Sequence, residues 1–390
     1  MTQNLNNRAA VGQGLADLYT IFVAYRVDSV LGGRVITGRL FPGFDPDSPT
    51  VRDFLDRWPG SSSARRAAQG WELLLFQPSA HRERWWLHAV LLLLTIFSTT
   101  VAGSLLAGYA PIRFAVLPVF GTWWLPVPVA IDVGALVPGL PFGLALVLIL
   151  ALHEAGHYVA AKHHSISVTP PYFIPFPPYF SIIGTLGAFI RLRSPVMSRN
   201  ALLDVGVAGP LASFLASLPL LWWGLFNSQI SPATSPMPSS FLVRFGSEQF
   251  WLGGSLAMSG MARLVLGFAG SSQVLVLHPV AFAGWLGLFV TALNLLPISQ
   301  LDGGHILYAA LGSRQKPLAW LFFLTLLPLG YLWAGWWFWA VLIFAIGRGR
   351  IWHPPLFNPE SGLTAGRLAV TMVAAIIFAL CFVPMPFRLY

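Results

Sequence analysis

Residues 140–164 read LPFGLALVLILALHEAGHYVAAKHH, and their reading decides the fold. Up to Leu152 the stretch carries no ionisable side chain, then three follow within five residues: His153, Glu154 and His157. Residues four apart share one face of a helix, so the two imidazoles project together. Such a pair can bind one zinc, with Glu154 beside it as a base. Zinc lowers the pKa of its water to about 7, and a carboxylate can then relay a proton to a leaving amine. Chance is the competing reading of so short a motif, since the chain has 9 His. Ionisable groups inside a membrane span are costly, however, and are functional by default.

The rest of the chain fits a membrane setting. Of its 390 residues 56% are hydrophobic and 9% charged, with a mean hydropathy of +0.68. A soluble domain usually carries about 25% charged residues, so a multi-span membrane protein is expected. The 16 Trp and 29 Phe suit membrane interfaces. The net charge of +9 is read as Arg and Lys flanking spans and meeting anionic lipid. No basic run with interleaved aromatics suggests nucleic acid. The single cysteine, Cys381, excludes an internal disulfide and reads as packing. MTQNLNNRAAVGQGLADLY lacks a basic region followed by an apolar core, so no cleaved signal peptide is expected.

Two regions are expected: 1–84, cytosolic or on the membrane surface, and a membrane domain over 85–390 with its core at 140–313. In the first, TVRDFLDRW and SSSARRAAQGWELLLF read as amphipathic helices, the second capped by serines. Spans are predicted at Trp85–Leu106, Leu140–Lys162, Ala201–Phe226, Pro279–Ile298 and Leu368–Pro384. Pro317–Ile346 is either a tight pair or one kinked helix. The less apolar 227–278 stretch is expected to hold one interfacial helix around Phe250–Phe268. The fold class is therefore an all-α polytopic membrane protein with six to seven transmembrane helices. Arg82 and Arg84 put the start of the first span in the cytosol. Lys162, Arg191, Arg193, Arg199, Arg314 and Lys316 then fall on the same side, which places the active site near the cytosolic face. TPPYFIPFPPYFSIIGTLGAFIRLRS is too rich in Pro to span as a helix. Pro170–Arg193 reads as a re-entrant, β-like hairpin or as a plain interfacial loop. In the first case Leu186 lies on a strand that pairs with substrate, and Gly184 and Gly187 leave room for its backbone.

Zinc needs a third protein ligand. Asp302, in NLLPISQLDGGH, follows the fourth span on the same side as the HEAGH end, and Gly303 and Gly304 permit close backbone approach. A helix cap is its alternative role. Asp204 reads as a cap, His163 and His164 lie past the helix face, and His305 is a candidate partner of a ligand. Asn294, alone in an apolar helix, either bonds a neighbouring helix or holds substrate backbone. Ala208, Ala212 and Ala216, with Gly209, Ser213 and Ser217 beside them, signal close helix packing.

These motifs resemble the site-2 protease family of intramembrane metalloproteases. HEAGH is similar to its zinc helix and NLLPISQLDGG to its second signature, while GTLGAFIRLRS and DVGVAGPLA resemble the cyanobacterial and chloroplast type. The likeness covers roughly 140–313. It implies one zinc per chain on His153, His157 and Asp302, Glu154 as catalyst, and Asn294 facing substrate. It also implies single-span membrane protein substrates and regulated intramembrane proteolysis, in a plasma membrane or, in a phototroph, a thylakoid or chloroplast membrane. Many members carry a PDZ domain between the third and fourth spans; 227–278 is too short and apolar for one. Two alternatives are a different membrane zinc endopeptidase and a zinc transporter. The first would need a downstream Glu ligand, for which Glu248 and Glu360 lie in no matching motif. The second would need polar residues along several spans.

Overall fold

The computed structural model describes residues 17–30, 33–79, 83–119, 123–232, 239–268, 273–356 and 362–389. Arg82, Glu360 and the first sixteen residues of the amino-terminal stretch lie outside the described residues. The chain is mostly helical, but it is not all-α as its composition suggests: four separate sheets are present among the described residues.

The amino-terminal part is one of them. Strands β1 (Phe22–Val30) and β2 (Gly33–Leu40) precede helix α1 (Pro49–Arg57), then come β3 (Ser62–Ala67) and β4 (Gly70–Pro78). They form an antiparallel sheet in the order β1-β2-β4-β3. TVRDFLDRW is helical as expected, whereas SSSARRAAQGWELLLF is a hairpin and its serines cap nothing helical. A short LLLF run fits a buried strand as well as a helix, and here side chains of both faces are buried. Ile36, Leu73 and Leu75 pack with Val51 and Phe54 of α1. Leu74 and Phe76, one residue out of phase, face the other way and pack on Met197 with Val35 beside them. The sheet is thus a two-faced plate, with its own core on one side and the membrane part on the other.

The membrane part begins with α2 (Trp85–Leu106), then a hairpin of β5 (Ile112–Val119) and β6 (Trp123–Ile131), and α3 (Leu140–His163). A second hairpin, β7 (Tyr172–Pro175) with β8 (Thr185–Phe189), leads to α4 (Arg199–Phe226). After α4 the expected helix is present over Leu256–Leu266, but strands that the sequence does not announce surround it. Strands β9 (Gln229–Pro232), β10 (Phe241–Phe245) and β11 (Glu248–Leu252) are followed by α5 (Leu256–Leu266) and β12 (Gln273–Val276), and β13 (Phe387–Leu389) completes five strands. Phe241, Val243 and Leu252 on one face pack into the helical core, while Leu242 and Trp251 on the other pack with Val274. Helices α6 (Pro279–Asn294), α7 (Asp302–Leu311), α8 (Gln315–Leu332), α9 (Gly335–Ile346) and α10 (Ala365–Cys381) complete the chain. The 317–346 stretch is therefore a pair, broken at Trp333–Ala334.

Among the described residues, three helices are long and apolar enough to cross a membrane: Trp85–Leu106, Val133–His163 and Arg199–Phe226. The 16 residues of α6 rise only about 24 Å at 1.5 Å each, short of the roughly 30 Å apolar core of a bilayer. Helix α4 is the hub, touching α3, α5, α6, α7 and α10. It approaches them through small residues, as the Gly, Ala and Ser pattern predicts. A Cβ at Gly156 of α3 would strike the backbone of Ala208, and one at Gly224 would strike that of Ala281 in α6. Gly224→Leu should therefore force α4 from α6 and cost about 1–3 kcal/mol by overpacking. A lowered melting temperature in detergent checks it.

Candidate metal centre

His153 and His157 lie on one face of α3, both buried, and Asp302 begins α7 after a turn from the end of α6. The turn brings them together. The Nε2 atoms of the two histidines are 3.0 Å apart, and Asp302 Oδ2 is 3.3 Å from His157 Nε2 and 3.5 Å from His153 Nε2. Gly303 and Gly304 allow this, since a Cβ at either would strike the backbone of the 295–299 turn.

The remaining ring atoms fix which nitrogens face the cluster. His157 Nδ1 donates to the Val205 carbonyl at 2.7 Å, and His153 Nδ1 bonds the Ser213 hydroxyl at 3.1 Å. Ser213 Oγ in turn lies 2.8 Å from Thr291 Oγ1 of α6. With both N–H groups engaged outward, two Nε2 lone pairs and a carboxylate oxygen converge. Such a set repels itself unless a cation sits among its members. Tetrahedral zinc with ligands at about 2.0–2.1 Å sets them about 3.3 Å apart, close to the separations here. The three residues can hold a metal ion. Outward partners that hold the ring orientation are the usual support of histidine ligands. Sequence reasoning missed this role for Val205, Ser213 and Thr291: a small residue on a packing face and a backbone carbonyl carry no distinguishing signal.

The other candidates separate. Glu154 is buried on the same helix turn, and the Ile190 N–H is directed at its carboxylate. Asn294 reaches the cluster, with Nδ2 3.2 Å from His153 Nε2. Together with Ala188, Phe189 and Gln300 these residues line a cavity of about 270 Å³. His305 also lines it, and its buried Nδ1 has no partner among the described residues. Gly187 faces open space, whereas the room left by Gly184 is filled by α2 itself, at Ser98. Leu186 is exposed at the bulge of β8. Asp204 is not the cap of its helix; Ser198 is, accepting from the Ala201 N–H. Asp204 instead receives two bonds from Arg367 of α10, at 2.9 and 2.6 Å, and bonds His164 at 2.8 Å. Cys381 is buried far from the cluster in sequence, at the end of α10.

The hairpin is clamped above the site. His88 of α2 bonds the Pro171 carbonyl at 3.0 Å through Nδ1, and its ring lies 4.2 Å from that of Tyr172. Arg193 pairs with Glu83, just ahead of α2. Beyond the cavity, His353 hydrogen-bonds the next carbonyl, and burial together with nearby His305 pushes its imidazole down to about 4. It is therefore neutral at pH 7.

A fold and site of this kind define a class. Residues 141–328 match the family described as peptidase family M50. Among curated proteins, 176 residues are 35% identical to the probable zinc metalloprotease EGY1, chloroplastic, of Arabidopsis thaliana, covering 45% of this chain and 30% of that protein. The protein of the same name from Oryza sativa subsp. japonica is 31% identical over 63% of this chain and 41% of its own length. The probable zinc metalloprotease EGY2, chloroplastic, of Arabidopsis thaliana is 33% identical over 55% and 36%. The chain thus spans well under half the length of these relatives. No solved structure matches it.

Ser213→Ala removes the partner of His153 Nδ1 and should weaken zinc binding by about 10–100-fold, the usual effect of losing such a support. Competition with a chromophoric chelator measures it.

Proposed function

We propose that the protein is an intramembrane zinc metalloprotease that hydrolyses peptide bonds in or near the transmembrane segment of a single-span membrane protein. One observation carries this reading: a zinc-ready triad and a free buried carboxylate share a cavity inside a bundle of apolar helices. Zinc bound there supplies Lewis acidity, acidifying a water and polarising a carbonyl. His153, His157 and Asp302 would hold it. Glu154 takes the proton of the attacking water on its carboxylate and delivers it to the leaving amine nitrogen. Asn294, on the cavity wall, offers its amide to the backbone of the bound chain.

The membrane setting follows from the same residues. We infer six to seven crossings, three by the long helices and the others by shorter apolar helices among α6, α8, α9 and α10, which can cross where the bilayer thins around them. Arg193, Arg199, Arg314 and Lys316 cluster in sequence around the elements that build the site, which supports a cytosolic position for it. Arg199 also donates to the Ala309 and Ala310 carbonyls at the end of α7, at 2.7 Å each, tying α4 to the helix that carries Asp302. The relatives' names place them in chloroplasts; for this chain we propose a multi-pass membrane location, of the thylakoid or chloroplast if the source is a phototroph.

A helical substrate hides its amides in its own hydrogen bonds and must unwind to be cut. Strand β8 suits that task. Ile190 turns its N–H to Glu154 while Arg191 turns its own to Thr169 of the hairpin, at 3.0 Å. Alternation then gives Ala188 an outward amide on an edge that pairs with no strand among the described residues, and the exposed bulge at Leu186 ends that edge. An unwound segment laid along this edge regains hydrogen bonds that lipid cannot supply.

Glu154→Gln should lower cleavage of a single-span reporter by at least about a hundredfold while one zinc per chain is retained. Unchanged cleavage would sink the mechanism, and it is read with metal content on the same sample. Leu186→Pro removes a backbone donor at the exposed end of this edge without filling the cavity. It should cut cleavage sharply with zinc and melting temperature preserved; normal cleavage would mean that the edge holds no substrate.

A further inference from the structure

The catalytic cavity does not end at the zinc ligands. A second cavity of about 430 Å³ adjoins it, and Leu192, Val205, Gln300 and His305 line both. Its far walls come from two parts that the mechanism leaves unused. Val35 and Leu74 belong to the outward face of the amino-terminal sheet; His353 and Leu356 belong to the loop after α9. Met197 lies between them. The groove is mostly apolar, with Gln300, His305 and His353 as its polar points.

Both walls are rigidly set. The loop is pinned to the α6–α7 turn: Ser299 N–H donates to the Ile351 carbonyl at 2.7 Å, and Ser299 Oγ donates to Arg350 at 3.0 Å. Leu356 N–H donates to the Tyr308 hydroxyl at 3.0 Å, and Gln315 to the His353 carbonyl at 3.2 Å. The sheet is fixed by the Leu74–Phe76–Met197 contact and by the Glu83–Arg193 pair. The opening between them is therefore a built feature of the fold, not a gap left by a loose loop.

Resting on the protease reading, we infer that this groove is a substrate subsite. It takes an extended, apolar stretch of the substrate chain on one side of the cleaved bond, and the amino-terminal sheet is a substrate-contacting domain. The occupant follows from continuity. An endopeptidase must hold chain on both sides of the bond it cuts, and the first cavity has room for only a few side chains. Chain that leaves it past His305 and Leu192 enters the groove directly. Apolar walls with a few polar points are what an apolar segment with an unwound backbone requires. Gln300 and the unpartnered His305 nitrogen offer hydrogen bonds to that backbone.

Cross-linking tests it on the full-length chain. In a Cys381→Ser, Glu154→Gln background, which holds substrate uncut, a single cysteine is placed at Ile190 in the first cavity, or at Val35 or Leu356 in the groove. The probe is the single-span reporter, with one cysteine walked along both sides of its mapped cleavage bond. Cysteines beside the bond should link to Ile190. Those about four to six residues away, at roughly 3.3–3.6 Å per extended residue, should link to Val35 and Leu356 from one side only. Links at Ile190 with none at the groove, or groove links from both sides alike, would overturn the subsite. Absence of links at Ile190 as well would overturn the protease reading itself. In the active chain, Leu356→Trp or Val35→Trp should fill the groove and raise KM for the reporter by about tenfold, leaving kcat within about twofold. An unchanged KM in a variant that melts as the parent does would count equally against the subsite.

Discussion

Two imidazole lone pairs and a carboxylate oxygen are held within 3.5 Å of one another in the interior of an apolar bundle. That arrangement is unfavourable by itself, and much of the surrounding architecture exists to enforce it. The Val205 carbonyl and the Ser213 hydroxyl take the outward N–H groups, so neither ring can turn away without stranding a buried donor. Both supports come from α4, which must therefore lie close to α3. Gly156 meets the Ala208 backbone, and Gly209 lies so near the His157 ring that a methyl group there would overlap it. Small residues along α4 are thus part of the metal chemistry as well as of the packing.

The same helix divides the molecule into two ends. The amino-terminal end of α4 faces the triad, the hairpin and the first sheet; its carboxy-terminal end runs into the five-stranded sheet. Only the first end carries the buried ionisable groups beside the triad. There the Asp204, His164 and Arg367 cluster joins the ends of α3 and α10 to α4, satisfying a partly buried carboxylate with two partners. The five-stranded sheet instead closes the far end through apolar residues such as Trp285, whose Nε1 donates to the Gly253 carbonyl at 2.8 Å.

The residues of the candidate metal centre are legible because the membrane makes them conspicuous. His153, Glu154 and His157 stand out in an apolar run, and few acidic residues compete with Asp302 at that depth, so spacing and cost sufficed. The long helices were legible for the same reason. The sheets were not. LLLF in β4 and FLVRF in β10 are short apolar runs whose period is ambiguous, and their strand character comes from partners distant in sequence. Asp204 resembles a cap in the sequence because its partner, Arg367, lies 163 residues away. Ser213 was read as packing because a hydroxyl reveals its role only through what stands opposite. Gly184 suggested room for another chain, and α2 already occupies that room.

The two-faced amino-terminal sheet has a consequence for how the chain assembles. Its inner face makes a self-contained core with α1, so it can mature as a unit early in synthesis, when domains generally fold amino-terminal first. Its outer face and Glu83 then wait for Met197 and Arg193, which emerge more than a hundred residues later. The β7–β8 hairpin lies between those two anchors. It becomes fixed only once the ribosome has delivered both, and the cleft closes later still, when Asn294, Gln300 and Asp302 have followed. A nascent chain would hold its metal ligands on α3 before it had any surface on which to present a target, and cutting power would arrive with the completed fold.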